Sequence, residues 1–162
     1  MKIIVLSDTH IPERAEALPK NLEEEIKLAD MVIHAGDLTS LDFLEKLKKL
    51  SPNVKAVCGN MDQDEIKRKL PEKEILKIGK FKIAVTHGFG APNKLIENLS
   101  SLFKDDNLDM IIFGHSHSPV NEKIGKTLFL NPGSPTDNVF ARYLSYGVVE
   151  INGKIDAKII KL

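Results

Sequence analysis

Cysteine is almost absent from this sequence of 162 residues, because Cys58 is the only one. A single cysteine cannot form a disulfide within the chain, and it cannot supply the several thiolates of a structural zinc site. We therefore expect folding without cross-links in a reducing compartment, the cytoplasm. Cys58 itself lies at the end of a predicted strand and is expected to pack as a small, inert apolar side chain.

Long apolar runs are also absent, since no stretch approaches the roughly 20 residues needed to cross a bilayer. The N-terminus begins with an apolar strand and lacks the basic region and cleavage site of a secretory signal. The 23 basic and 23 acidic residues cancel and are intermixed, so no basic surface for nucleic acid is indicated. These absences predict a soluble protein without a membrane or nucleic-acid partner, and they leave a homo-oligomer open.

The length suits one domain, because 162 residues can bury a single substantial core but not two well-packed ones. We therefore predict one domain over residues 1–162. Along most of the chain, apolar strands alternate with helical patterns, which is typical of an α/β layer protein. The predicted strands are residues 2–7, 31–34, 54–58, 81–86 and 110–113.

Helical patterns fill most of the segments between these strands. Asn21 and Glu24 have capping-box spacing at the start of the first helix, and Ser40 is placed to cap the second. A further helix begins near Pro92 and is expected to carry Leu102 on its apolar face.

Two hairpin signals stand near the end of the chain. The pairs Gly125-Lys126 and Asn152-Gly153 each separate two β-like runs in the way that two-residue turns do. The sequence therefore predicts an antiparallel sheet that closes the domain. Two sheets with helices outside them form the simplest arrangement that buries all of the apolar faces.

Polar side chains with metal-binding chemistry follow five of the predicted strands. They are Asp8 with His10, Asp37, Asn60, His87, and His115 with His117. Because ligand sites of layered α/β folds form where strand ends converge, we expect these side chains to meet. Carboxylate, imidazole and amide ligands suit Mn, Fe, Zn, Co or Ni. Seven ligands are too many for one ion, so the pattern predicts two ions that share Asp37 as a bridge.

Several of these polar residues also have ordinary structural explanations. Asn60 can form a turn with Gly59, and His34 is expected to be a hydrogen-bonded core histidine rather than a ligand. Asp62 is expected to orient neighbouring groups or to cap a helix over residues 64–69. Arg142 is expected to form a surface salt bridge, with a contact to a substrate phosphate as the alternative.

Two short motifs resemble a known family. Gly-Asn-Met-Asp at 59–62 and Gly-His-Ser-His at 114–117, in this order and at strand ends, are similar to the calcineurin-like metallophosphoesterase pattern. The chain is most similar to the small, single-domain prokaryotic phosphodiesterases of that family, which also carry a segment like Asn-Pro-Gly-Ser at 131–134. The resemblance implies a four-layer α-β-β-α sandwich of two mixed sheets flanked by helices.

The resemblance also implies roles for the seven residues. One ion would bind Asp8, His10, Asp37 and His117, and the other would bind Asp37, Asn60, His87 and His115. It further implies a hydrolase in which both ions bind a phosphate ester and activate a bridging water for in-line attack. Asp37 and Asn60 are the expected catalytic residues, and the expected partner is a small-molecule phosphate ester. Mn is the expected metal, with Ni, Fe, Zn, Co or Mg as alternatives.

One position departs from the family pattern. Most relatives place a histidine after the ligand asparagine, where it protonates the leaving group, but this chain has Met61. A thioether cannot donate a proton. Substrates with good leaving groups, such as activated phosphodiesters, are therefore expected in preference to ordinary monoesters.

Two other functions compete with this interpretation. A subunit of the retromer complex has the same fold and serves as a protein-binding scaffold, but that branch departs from the ligand pattern that is intact here. A two-metal amide hydrolase commonly begins with a His-x-His pair after an early strand. In this chain Asp8 and His10 come first, and the His-x-His pair comes late.

Overall fold

A computed structural model describes all residues from 1 to 162 and contains two five-stranded sheets. The strands are β1 (Lys2–Leu6), β2 (Met31–His34), β3 (Val54–Ala56), β4 (Lys73–Ile78), β5 (Phe81–Thr86), β6 (Met110–Ile112), β7 (Val120–Ile124), β8 (Thr127–Asn131), β9 (Ser145–Ile151) and β10 (Ile155–Lys161). The helices are α1 (Lys20–Lys27), α2 (Leu41–Leu50), α3 (Asp64–Lys69) and α4 (Leu95–Leu102), and a 3₁₀ turn at Pro92–Lys94 leads into α4. None of the helices is both long and apolar enough to cross a membrane.

Both sheets are mixed. The first has the order β10-β9-β1-β2-β3, in which β1, β2 and β3 are parallel and β9 runs antiparallel to β1 and β10. The second has the order β4-β5-β6-β8-β7, in which β5, β6 and β8 are parallel and the two outer strands are antiparallel to their neighbours. The parallel strands of each sheet therefore deliver their carboxyl ends to one edge.

The two sheets pack face to face, with helices on their outer surfaces. Strand β1 shows why, since Ile3 and Val5 face the second sheet whereas Ile4 and Leu6 face α1 and α2. A strand that is buried on both faces reads as a continuous apolar run. Helix α4 covers the other sheet with Leu95 and Leu99. The predicted α-β-β-α sandwich is thus confirmed.

The two late hairpins do not form one closing sheet, so that prediction is wrong. The β7–β8 hairpin, which turns at Gly125, joins the second sheet, because β8 pairs in parallel with β6. The β9–β10 hairpin, which turns near Gly153, joins the first sheet through β1. A turn signal fixes the pairing of its own two strands, but it does not specify the third strand that they join.

Some helix details also differ from expectation. The predicted capping box of Asn21 and Glu24 does not form. Helix α1 already begins at Lys20, and its N-cap residue, Pro19, has no side chain that can cap. The Ser40 cap is confirmed, since its hydroxyl accepts the Phe43 N–H at 3.3 Å. Leu102 ends α4 with 37 % of its surface exposed rather than on the buried face.

Candidate metal centre

The sheet edge at the carboxyl ends of the parallel strands brings all seven predicted ligands together. The loops after β1 and β2 are joined by backbone hydrogen bonds, in which the N–H of Asp8 donates to Gly36 and that of His10 donates to Asp37. The loop after β3 supplies Asn60, and the ends of β5 and β6 supply the remaining histidines. The two facing sheets therefore contribute to one site.

The ligand atoms form two overlapping groups. One consists of Asp8, His10 and His117, and the other of Asp8, Asp37 and His87, with all atoms of a group within 4.8 Å of one another. Asn60 adjoins the second group, because its Oδ1 lies 3.0 Å from Nε2 of His87. The same oxygen lies 2.9 Å from Nδ1 of His115. No predicted ligand stands apart from the cluster.

Two carboxylates lie between the histidine groups. Oδ2 of Asp37 is 3.6 Å from Nε2 of His10 and 3.3 Å from Nε2 of His87. Oδ1 of Asp8 is 3.4 Å from Nε2 of His117 and 3.9 Å from Nε2 of His87. Sequence reasoning selects Asp37 alone as the shared carboxylate, and the geometry adds Asp8 as a second residue that faces both groups.

This donor set fits a divalent cation. Nε2 of His10 is buried without a hydrogen-bond partner, although the carboxylate oxygen of Asp37 faces it. The neighbouring Asp8 is completely buried. A buried carboxylate and an unpaired imidazole nitrogen are costly by themselves, and both are satisfied when they bind a common cation.

The charges within the cluster are strongly coupled. Burial raises the pKa of Asp8 to about 6. Burial alone would lower the pKa of His87, but the hydrogen bond to Asp37 and the charges of Asp8 and Asp37 raise it to about 9. Burial alone would raise the pKa of Asp37. The hydrogen bond and charge of His87, together with the N–H of Met61, outweigh burial and hold that pKa below its usual value. A metal ion bound here would supply the positive charge that a proton on His87 otherwise supplies.

The backbone at the site is unusual. Five of the seven predicted ligands have positive φ angles, between 44° and 70°, and these are Asp8, His10, Asp37, His115 and His117. This left-handed conformation costs L residues about 1 kcal/mol or more each, and it concentrates at functional sites. Gly59 and Gly114 permit the tight packing, since a Cβ at Gly59 would collide with Asp37 and one at Gly114 would collide with Ser7 and Asp8.

Asp62 orients the loops and does not cap a helix. Its Oδ2 accepts the N–H groups of Asp37 at 3.0 Å and Gly59 at 2.7 Å, and its Oδ1 accepts that of Thr39 at 2.7 Å. The N-cap residue of α3 is Gln63, and no side chain caps that helix. Of the two roles considered for Asp62, the orienting role is therefore confirmed.

Comparison with known proteins identifies the family. Residues 1–154 match the sequence model of the calcineurin-like phosphoesterase superfamily domain. The chain belongs to this family. It is 37 % identical to a probable metallophosphoesterase of Methanothermobacter thermautotrophicus over 99 % of this chain and 92 % of that one. Family membership implies a hydrolase that acts on phosphate esters and uses divalent metals.

Two solved structures are similar to this protein over nearly the whole chain. One is a novel archaeal phosphodiesterase, 26 % identical, with a TM-score of 0.79 and all of both chains covered. The other is Vps29 of Entamoeba histolytica complexed with Zn²⁺, 27 % identical, with a TM-score of 0.78 and 99 % of both chains covered.

Sequence reasoning missed three residues that adjoin the cluster, and these are Asp137, Arg14 and Phe140. Asp137 is fully buried, with Oδ2 2.8 Å from Nδ1 of His117 and 3.6 Å from Nε of Arg14. The guanidinium of Arg14 lies over the ring of Phe140, 5.2 Å from its centroid. The only available signal was the position of Asp137 just after the Asn-Pro-Gly-Ser segment at 131–134.

The sequence predicts structural roles for His34 and Arg142, and only the first is confirmed. His34 is fully buried, with Nε2 3.1 Å from Oγ1 of Thr9, so its interpretation as a core histidine is confirmed. Arg142 is exposed and forms no ion pair, so its predicted salt bridge is wrong. Arg14, and not Arg142, is the arginine that lines the cleft over the cluster.

The cleft over the cluster has a volume of about 670 Å³ and is open to solvent. The residues that line it are His10, Glu13, Arg14, Asp37, Thr39, Asn60, Met61, Pro92, His115, Ser116, His117 and Phe140. A second cleft of about 490 Å³ is lined in part by Asn60 and His87. The cleft thus has room for a small ester directly above the predicted ligands.

Proposed function

We propose that this protein is a phosphodiesterase that hydrolyses small, activated phosphodiesters at a two-metal centre. The observation that carries the proposal is a pair of ligand groups that share Asp8, with Asp37 facing histidines of both, at the base of an open cleft. The similarity to an archaeal phosphodiesterase supports the choice of diesters.

The seven residues would hold the ions as two sets. We assign Asp8, His10, Asp37 and His117 to one ion, and Asp37, Asn60, His87 and His115 to the other, with Mn as the first choice. When bound, such ions lower the pKa of a bound water from about 15.7 to near 7 and offset the charge of the phosphoryl oxygens. Hydrolysis breaks the bond between phosphorus and one ester oxygen, and it yields a phosphate monoester and an alcohol or phenol.

The residues at the end of the cleft near Asn60 favour good leaving groups. Met61 lines the cleft with 61 % of its surface exposed, and its thioether has no proton to donate. Nε2 of His115 lies 2.9 Å from the carbonyl oxygen of Gly90, so that nitrogen is already engaged. With neither side chain able to donate, we expect the departing oxygen to leave without acid assistance, which suits a phenolate better than an alkoxide.

Metal content and substrate choice test the proposal together. The chelated protein is reloaded with Mn, Ni, Mg or Zn and assayed with bis(p-nitrophenyl) phosphate, p-nitrophenyl phosphate and cyclic nucleotides. We expect two ions per chain by anomalous scattering, together with faster hydrolysis of the diester than of the monoester. Full metal loading without hydrolysis of any ester would refute the enzymatic function, and a metal-saturated crystal without an ion near either group would refute the ligand assignment.

A protein-binding scaffold is the second candidate, because the chain is similar to Vps29 over nearly all of its length. That relative is itself complexed with Zn²⁺. An intact set of metal ligands is therefore weaker evidence against a scaffold than the ligand pattern in the sequence suggests. The same assay separates them, since a scaffold needs no turnover.

A further inference from the structure

Two large apolar side chains stand exposed in a cleft that is otherwise mostly polar. Met61 is 61 % exposed and Phe140 is 66 % exposed, and both line the space above the predicted ligands. Exposed apolar surface beside a polar site marks a place where an apolar part of a ligand can be buried.

The two side chains belong to different ends of the cleft. Met61 follows Asn60 directly, and its N–H donates to Oδ1 of Asp37 at 2.8 Å. The ring of Phe140 instead packs edge-on against the ring of His117, with 5.7 Å between their centroids. Met61 therefore adjoins the ligand group that contains His87, whereas Phe140 adjoins the group that contains His117.

Phe140 is held in place rather than hanging free in solvent. Oδ1 of Asp137 accepts the N–H groups of Val139 at 2.8 Å and Phe140 at 3.2 Å, which fixes the turn that carries the ring. The guanidinium of Arg14 lies over the ring, while its Nε faces Asp137. One buried carboxylate thus holds the backbone of Phe140 by hydrogen bonds and faces the side chains of His117 and Arg14. A platform that is already ordered loses little entropy when a ligand stacks on it.

We infer that Phe140 and Arg14 form a subsite for a planar aromatic arm of the phosphodiester. This inference rests on the proposed function. The arm that lies there is the one that stays on phosphorus, because the leaving group departs at the opposite end, beside Met61. The exposed part of the Phe140 ring stacks on the aromatic arm, and Arg14 places its unused N–H groups near the phosphate or the ring.

Arg14 strengthens the case for a phosphate ester over an uncharged aromatic ligand. It is the only lysine or arginine among the residues that line the cleft. Only its Nε faces a carboxylate, that of Asp137, which leaves the other guanidinium N–H groups available. A cation next to an aromatic platform recognises a ligand that carries both a negative charge and a flat ring.

The test uses two diesters with the same leaving group. These are p-nitrophenyl phenyl phosphate and p-nitrophenyl methyl phosphate, which differ only in the arm that stays on phosphorus. In the metal-loaded protein, Phe140→Ala is expected to lower the ratio of their kcat/KM values by about 5- to 150-fold, the range for loss of one aromatic stacking contact. Phe140→Tyr is expected to keep the ratio. Val139→Ala is the matched control, because Val139 is exposed in the same turn but does not line the cleft.

A binding measurement makes the test independent of turnover. Phenylphosphonate and methylphosphonate are titrated calorimetrically into the metal-loaded protein. The wild type is expected to prefer the phenyl compound, and Phe140→Ala is expected to lose that preference. An unchanged preference in Phe140→Ala, in both experiments, overturns the subsite while leaving the phosphodiesterase intact. If the wild type hydrolyses neither diester, the proposed function fails, and the phosphonate titration still decides whether the aromatic subsite exists.

Discussion

Oδ2 of Asp137 lies 2.8 Å from Nδ1 of His117, and the other nitrogen of that ring, Nε2, faces Oδ1 of Asp8 at 3.4 Å. A carboxylate beside Nδ1 favours the tautomer that carries its proton on Nδ1, which leaves Nε2 free to bind a metal. Burial opposes the charge on Asp137, but the backbone N–H groups of Val139 and Phe140 outweigh it and keep the pKa of Asp137 below its usual value. Asp137 is therefore placed to position His117 through its charge, since the two atoms do not meet with hydrogen-bond geometry.

Replacing this carboxylate tests that role. Asp137→Asn keeps the size of the side chain and an oxygen for the backbone N–H groups, but it removes the charge beside His117. We expect metal affinity to fall by about 10- to 100-fold, as is typical when such a supporting carboxylate is lost. Competition with a chelating dye measures this affinity directly. Asn138→Ala, an exposed change in the same turn, is expected to bind metal like the wild type. Equal affinities in both variants would show that Asp137 only stabilises the turn.

The second prediction concerns Asp37. Asp37→Asn tolerates the positive φ of 57° and keeps an oxygen that can accept the Met61 N–H, so the fold is expected to survive. The lost charge faces histidines of both ligand groups, and we therefore expect loss of at least one ion and of most activity. Metal content after dialysis and circular dichroism report the two effects separately. Normal turnover with full metal loading would contradict a bridging role for this residue.

The third prediction concerns the missing proton donor. Met61→His places an imidazole at the end of the cleft where the leaving group is expected, and general acid catalysis contributes about 100- to 10,000-fold when fully effective. Both oxygens of Asp62 already accept backbone N–H groups, so the new ring has no carboxylate to orient it there. We therefore expect only about a 10- to 100-fold gain for alkyl monoesters and little gain for nitrophenyl diesters. The measurement is the ratio of alkyl monoester to nitrophenyl diester hydrolysis rates, at equal metal occupancy. If position 61 does not face the leaving group, this ratio should be the same in Met61→His and in the wild type.

The fourth prediction concerns the dependence of stability on pH. Burial lowers the pKa of His34 from 6.5 to about 3 in the folded protein. The unfolded chain binds this proton more readily, so the stability that His34 contributes is complete above about pH 6.5 and is lost as the pH falls toward 3. Within this pH range, His34 alone changes the free energy of unfolding by up to about 1.4 kcal/mol per pH unit. Urea unfolding with a chelator present, between pH 4.5 and 7, measures this effect. The free energy of unfolding should depend less steeply on pH in His34→Leu than in the wild type. Parallel curves for the two proteins would mean that His34 does not stay neutral when buried.

Much of the fold could be predicted because its signals are local. Strands such as β1 and β2 are continuous apolar runs that end in polar turns, and this pattern alone indicates a buried parallel sheet. Strand β4 has no counterpart among the predicted strands, because Lys73 to Ile78 form an edge strand in which three of the six residues are charged. The destination of the two late hairpins depended on long-range pairing with β6 and β1, which no local pattern contains.

The candidate site was predictable for a different reason. Its seven ligands each follow a strand, so the architecture alone brings them to one edge, and the motifs at 59–62 and 114–117 then select the family. Asp137, Arg14 and Phe140 lie in the long loops after β1 and β8, where no strand end fixes their position. Their contacts with His117 and with one another arise only from the folded path of these loops.

The left-handed backbone at five predicted ligands sets stability against function. Glycine adopts this conformation without strain. Substitutions such as His115→Gly are therefore expected to relieve backbone strain in the metal-free protein while removing a ligand. A selection of variants for thermal stability alone, in the absence of metal, would therefore drift toward glycine at these positions. Such a selection would yield a more robust protein that has lost its chemistry, and stabilisation of this chain should leave these loops unchanged.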